Sequence, residues 1–242
     1  LRSTVEVERK FVCDAGMWKR LEEIGAVCIG QREIHDQYFD TPDFELTLRD
    51  TWLRKREDSW ELKCPPAVGK TQETSGEGLE EASLCSRYKE ITSLPEIQSR
   101  VKEVLKHCAG GSLNADPLPG PLVTVGQVSH EEPGGPEGVG DSWPGELNLR
   151  CFAEFTTARR SFTLQEEGVQ IDLDQADFGY TVGEIEVLVQ EGEEVGSALE
   201  KIERAARRLG LTRNLRVEGK MDVYLQRFCP EHYVKLQRAH IL

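Results

Sequence analysis

Short segments that would place like charges side by side on one face of an antiparallel sheet constrain this chain more than any other feature. In Val5-Glu6-Val7-Glu8-Arg9-Lys10-Phe11 a period of two puts Glu6, Glu8 and Lys10 on one side and Val5, Val7 and Phe11 on the other. The layout returns in Trp52-Leu53-Arg54-Lys55-Arg56, in Ile171-Asp172-Leu173-Asp174 and in Glu184-Ile185-Glu186-Val187. One charged face is ordinary for an antiparallel strand in water. A solvated sheet, however, sets opposite charges across from one another and avoids like clusters. The doublets are therefore either separate solvated faces or one enclosed surface that needs a multivalent counter-charge. A polyanion with a divalent metal supplies both signs.

Composition narrows the partners. The 242 residues carry a formal net charge of -13, which argues against broad binding to nucleic acid or to an anionic membrane. No apolar run approaches the roughly 18–20 residues of a membrane span, and the polar first residues give no expectation of a signal peptide. The seven cysteines are odd in number, scattered, and never spaced C-x-x-C. Free thiols in a reducing compartment, hence a cytoplasmic chain, are expected. The five histidines show no ligand spacing, and neither a P-loop nor a dinucleotide glycine fingerprint occurs.

Along the chain, Asp14 is placed to cap a short helix that carries Met17, Trp18, Leu21 and Ile24 on one face and stops at Gly25. Residues from about Ile29 to Asp40 read as extended, ending at the Asp40-Thr41-Pro42 turn. Strands follow around Trp52–Arg56 and Trp60–Cys64, with a turn expected near Asp58-Ser59. A loop spans Pro65 to Glu81, and Ser86 to Thr92 reads as a strand. Ser93-Leu94-Pro95-Glu96 has the form of a capping box before the stripe Ile97, Val101, Val104 and Leu105.

Between Gly110 and Gly145, fifteen of thirty-six residues are glycine or proline, so about 110–148 is expected to be a surface insertion in a single domain spanning 1–242. Leu149–Leu164, Val169–Asp177 and Tyr180–Gln190 then read as an antiparallel meander. A helix over Val195–Leu209, another carrying Met221, Tyr224, Leu225 and Phe228, and a weak turn or helix from Pro230 complete the chain. At least eight hairpin-linked strands without βαβ alternation predict an α+β fold. Eight antiparallel strands can close into a barrel that holds one small ligand, with helices flanking it.

The residues that period two gathers are the acids Glu6, Glu8, Asp172, Asp174, Glu184 and Glu186, and the bases Lys10, Arg54, Arg56 and Lys63. Arginine forks and lysine point charges suit phosphate oxygens. Clustered carboxylates suit Mg²⁺, with Mn²⁺ as a substitute. Together they describe metal-assisted phosphoryl chemistry. Trp52 shares a face with Arg54 and reads either as core or as a stacking platform for a ring on the substrate.

The same strings carry a resemblance. Glu6-Val7-Glu8-Arg9-Lys10 resembles the E-x-E-x-K opening of the CYTH, or triphosphate tunnel metalloenzyme, superfamily. Leu53-Arg54-Lys55-Arg56, Glu61-Leu62-Lys63, Tyr88-Lys89-Glu90, Asp172-Leu173-Asp174 and Glu184-Ile185-Glu186 follow in the family's order, with Arg159 and Lys220 at its later basic positions. The resemblance runs from about Val5 to Phe228.

Tyr38-Phe39-Asp40-Thr41-Pro42, Trp60-Glu61-Leu62-Lys63-Cys64-Pro65 and Asp177-Phe178-Gly179-Tyr180 are similar to the branch that hydrolyses thiamine triphosphate. The resemblance implies an eight-stranded antiparallel tunnel and Mg²⁺-dependent hydrolysis of that substrate. It further implies that Lys10, Arg54, Arg56, Lys63, Arg159 and Lys220 grip the triphosphate while Glu6, Glu8, Asp172, Asp174, Glu184 and Glu186 hold metal. Trp52 would stack on the thiamine moiety, and Tyr38 with Lys63 would ready the water. For Lys63 to act as a base its pKa must fall, and Arg54 and Arg56 would push it down.

Either Arg159 or Arg160 is the inward arginine. The insertion, and the loop from 65 to 86, are longer than the family pattern. An inorganic triphosphatase, a class IV adenylyl cyclase-like lyase and a non-catalytic polyphosphate-binding module are the competing readings. The expected partner is a small-molecule triphosphate acted on by a monomer, with neither nucleic acid nor membrane involved.

Overall fold

A computed structural model describes residues 3–67, 84–109, 142–193, 195–211 and 215–242. Eight strands close into one antiparallel barrel in the order β1-β5-β4-β3-β2-β6-β7-β8. They are β1 (Thr4–Phe11), β2 (Val27–Asp40), β3 (Trp52–Arg56), β4 (Ser59–Cys64), β5 (Cys85–Ile91), β6 (Arg150–Leu164), β7 (Val169–Ala176) and β8 (Thr181–Gln190). The helices are α1 (Met17–Glu23), α2 (Leu94–Ala109), α3 (Trp143–Glu146), α4 (Val195–Arg208), α5 (Lys220–Phe228) and α6 (Pro230–Arg238). The expected meander is β6-β7-β8, and β1 closes the ring by pairing with both β5 and β8.

On β1, β3, β4, β7 and β8 the apolar side faces out of the barrel and under a helix. Val5, Val7 and Phe11 of β1 join Ile171 of β7 and Ile185 of β8 in one core, covered by Met17 and Leu21 of α1 and by Ala198, Ile202 and Ala206 of α4. A second core packs Leu53, Trp60 and Leu62 against Ile97 and Val101 of α2. Each buried Val, Leu, Ile, Phe or Met among them contributes about 1.5–3 kcal/mol. The alternation then leaves the charged residues only the interior. Phe11 crosses β8 opposite Gly183, where a Cβ would stand 2.2 Å from the phenyl ring. Glycine is required there by close approach.

Details depart from the sequence reading. The β3–β4 turn falls at Glu57-Asp58, one residue early, with Glu57 at a φ of 52°. Trp18 is 39% exposed instead of core. Its ring meets Phe162 edge-on and lies under the Arg160 guanidinium. Most of the expected 65–86 loop and of the 110–148 insertion lies outside the described residues. Its last residues belong to the fold, because α3 buries Trp143 edge-on against Trp60. The seven cysteines are free thiols, as expected.

Asp40 anchors the β2 exit by accepting the backbone N–H groups of Thr41, Leu46 and Thr47 and the Thr47 hydroxyl. That hydroxyl meets His232 Nε2 at 2.8 Å, tying α6 to the barrel. His232 stacks on Phe44 with 3.8 Å between centroids, and its buried Nδ1 has no hydrogen-bond partner among the described residues. Burial, and then the charge of Lys235, pull its pKa from 6.5 to about 4.

Two outcomes follow from this packing. Gly183→Ala should cost about 1–3 kcal/mol through overpacking against Phe11, read as a lower urea midpoint at unchanged slope. For His232 the folded pKa lies below the unfolded value, so the fold favours the neutral ring. Its contribution is complete above pH 6.5 and is lost as pH falls from about 6.5 towards 4. Melting temperature should drop across that window, and His232→Gln should flatten the drop while lowering stability at pH 7.

Candidate active site

The inward faces enclose a cavity of about 360 Å³. Its acidic side carries Glu6 and Glu8 from β1 with Glu184 and Glu186 from β8. Its basic side carries Arg54 and Arg56 from β3, Lys63 from β4, Arg159 from β6, and Lys220 from the first turn of α5. Lys10, Tyr38 and Trp52 line it as well. Register explains the convergence: Glu8 lies opposite Glu186, Lys10 opposite Glu184, and Tyr38 opposite Arg54. Doublets far apart in sequence thus share one surface.

Each of these five basic groups is held by a carboxylate. Arg159 donates from Nε and Nη2 to both oxygens of Asp174 at 2.8 Å, and Lys220 donates to Asp174 at 2.7 Å and to Thr157 at 3.2 Å. Arg56 forks onto Asp36 at 2.7 and 2.9 Å, and Arg54 donates to Glu61 at 2.6 Å. Lys63 sits 2.7 Å from Glu6, and Lys10 donates to Glu8 at 3.2 Å. Arg159 is therefore the inward arginine. Arg160 lies outside, on Trp18 and Gln31.

Asp174 and Asp172, both expected as metal ligands, are buried and hydrogen-bonded to other side chains. Asp174 is 3% exposed and its oxygens are taken by Arg159 and Lys220, so it orients the cations. Asp172 is buried beside it, accepting from Ser161 at 2.7 Å and from Gln170 at 3.1 Å, with Arg159 at 3.4 Å. Burial raises Asp174, but Arg159 and Lys220 outweigh it and the net shift is downward. Lys220 shifts downward too, through burial and the Arg159 charge with which it shares that carboxylate.

The remaining acids form a compact group. Glu6, Glu8 and Glu184 each offer one oxygen, and these lie within 4.8 Å of one another. Glu8 Oε2 is buried and accepts no hydrogen bond among the described residues. Three converging carboxylates with an orphaned oxygen fit a hard divalent cation, which takes oxygen ligands. Burial raises the Glu8 pKa, yet Lys10 and Lys63 prevail and hold it down at about 2. Glu186 is pushed up to about 8 by burial and by Glu6, Asp172 and Glu8. The carboxylate nearest the lysines stays charged, whereas the one facing other carboxylates takes the proton.

The surroundings of Lys63 push its pKa up, not down. Burial lowers its pKa and Arg54 opposes its charge, but Glu8 and Glu6 stand closer and the net shift is upward. Beside these carboxylates the charged form of Lys63 is favoured. Tyr38 stands beside Arg54, stacked on Phe155 at 5.8 Å between centroids.

Sequence reasoning gave no role to Asp36, Asp50 or Tyr88. Asp36 was legible in principle, since it precedes Tyr38 by two on β2. Asp50 and Tyr88 were not, because their contact joins a turn to β5: Tyr88 donates to Asp50 Oδ1 at 2.8 Å.

The CYTH domain pattern matches residues 4–218. This chain belongs to the CYTH family. It is 38% identical over 242 residues to human thiamine-triphosphatase, covering 96% of this chain and 89% of the human protein. The identity and coverage are the same for thiamine-triphosphatase of Macaca fascicularis. Among solved structures, the PH1819 protein of Pyrococcus horikoshii OT3 superposes with a TM-score of 0.53 at 18% identity, over 92% of this chain and 99% of that one. This last likeness concerns the fold alone. The CYTH match begins at the first residue of β1.

Glu8→Gln in this CYTH chain should weaken Mg²⁺ binding by at least about tenfold in calorimetry, through loss of a charged oxygen. The melting temperature at pH 7 should fall, because Lys10 and Lys63 favour the charged carboxylate that the amide cannot replace. Unchanged Mg²⁺ affinity would take Glu8 out of the metal group.

Proposed function

We propose that this CYTH enzyme hydrolyses thiamine triphosphate to the diphosphate and phosphate, with the triphosphate lying in the tunnel. The observation that carries the reading is one cavity with cations on one side and a carboxylate triad on the other. Three arginines offer forked donors, and Lys10, Lys63 and Lys220 offer point charges, so the chain of phosphates is gripped along its length. The partners Asp174, Asp36 and Glu61 hold those cations in place before substrate arrives, which removes part of the ordering cost from binding.

Glu6, Glu8 and Glu184 would hold Mg²⁺ or Mn²⁺, with Glu186 and Asp172 adjoining. When bound, the metal supplies charge neutralisation at a phosphoryl oxygen. Lys63 in its charged form donates to phosphate or orients water beside Tyr38, and its neighbouring carboxylates oppose its taking the water's proton. Trp52 stands at the cavity wall with an aromatic face for the thiamine rings. The 38% identity to thiamine-triphosphatases supports this choice of organic group.

No helix among the described residues is long and apolar enough to cross a membrane. The free thiols suit a reducing compartment, and we place the enzyme, as a monomer, in the cytoplasm.

Phosphate release from thiamine triphosphate, inorganic triphosphate and ATP, with and without Mg²⁺, tests the assignment. Thiamine triphosphate should be turned over fastest and only with the metal. A wide preference for either competitor rejects the proposal. Arg56→Ala should lower kcat/KM by roughly 100-fold on all triphosphates hydrolysed, since it removes a charge-assisted contact shared by them.

A further inference from the structure

Asp50 makes contacts that phosphate binding does not explain. It lies between the 3₁₀ turn Thr47–Arg49 and β3, half-buried, and is held in the left-handed region at a φ of 52°. Aspartate tolerates that region better than most residues, and such conformations persist only where the surroundings enforce them. Here its N–H bonds to Thr47 O at 3.0 Å, and Thr51 Oγ1 donates to Arg49 O at 3.1 Å. The turn delivers Asp50 Oδ1 to two side chains of the cavity wall. Trp52 Nε1 donates to it at 2.9 Å and Tyr88 Oη at 2.8 Å.

One carboxylate oxygen thus fixes the indole and the phenol from different strands, β3 and β5. The indole is locked through its only polar atom, so the plane of its aromatic face is set. The carboxylate also places a negative charge at the edge of that face. A neutral ring and a cationic ring both stack on an indole, but only the cationic ring gains from the adjacent charge.

We propose that Asp50 is a positioning and specificity-determining residue: it orients Trp52 and Tyr88 and makes that wall select a triphosphate whose organic end is a cationic heteroaromatic ring. This inference rests on the functional reading above and deepens it. Inorganic triphosphate carries no such ring and should be indifferent to Asp50. A purine triphosphate, uncharged in its ring, should gain nothing from it.

Asp50→Asn separates charge from geometry. The amide oxygen still accepts from Trp52 and Tyr88, and asparagine tolerates the left-handed backbone. For thiamine triphosphate, KM should rise about tenfold at little-changed kcat, while kcat/KM for inorganic triphosphate stays within about twofold. Asp50→Ala should lose more on thiamine triphosphate, because the indole is freed as well.

Free thiamine, used as an inhibitor of inorganic triphosphate hydrolysis, reads the same wall without turnover of the organic substrate. Its inhibition constant should rise about tenfold in Asp50→Asn. An unchanged constant, equal losses on both triphosphates, or no inhibition of the wild type by millimolar thiamine would overturn the role of Asp50. If thiamine inhibits and Asp50→Asn weakens it, yet the wild type does not favour thiamine triphosphate, the functional reading fails while the role of Asp50 stands.

Discussion

Everything in this fold follows from turning the strands' charged faces inward and their apolar faces out. A barrel that hides carboxylates and guanidinium groups in its lumen cannot draw its stability from that lumen, since taking charges out of water is costly and like charges repel. The favourable term has to come from elsewhere. It comes from the outer wall, where Val7, Ile171 and Ile185 lie under α1 and α4, and Leu53 and Leu62 lie under α2. The helices are a condition for a polar interior, because without them the outer face would be open to water.

The lumen reduces its own penalty by pairing. Asp174 serves Arg159 and Lys220 at once, Asp36 serves Arg56, and Glu61 serves Arg54. What pairing leaves over is unequal. The carboxylate triad keeps an orphaned oxygen on Glu8, and the neighbouring carboxylates push the Glu186 pKa up. Residual negative charge is thus concentrated where a cation would neutralise it. Fixed cations stand across the same cavity for a polyanion, held in place before it arrives.

Much of this was legible in the chain. Period two within β1, β3, β7 and β8 assigns each charge to a face from sequence alone, and the hairpin spacing of β6, β7 and β8 gives the antiparallel meander. Arg159 versus Arg160 was not legible, because both register choices leave an arginine inward until Arg159 is fixed opposite Asp174. The partners of Asp174 were not legible either, since a carboxylate doublet looks the same whether it faces metal or arginine. For Lys63 the flanking arginines are visible in sequence, whereas Glu6 reaches it only across the intervening strand β5.

What the sequence by itself determined is local: which residues alternate, where turns interrupt them, and that the alternating faces carry like charges. What only the tertiary structure decided is which charges meet. Closure of β1 onto β5 and β8 brings Glu6 to Lys63 and Glu8 to Glu184, and the αL turn at Asp50 joins Trp52 to Tyr88. Coulomb interaction and hydrogen bonding depend on separations of a few ångströms. Distances between residues tens of positions apart do not exist until the barrel closes.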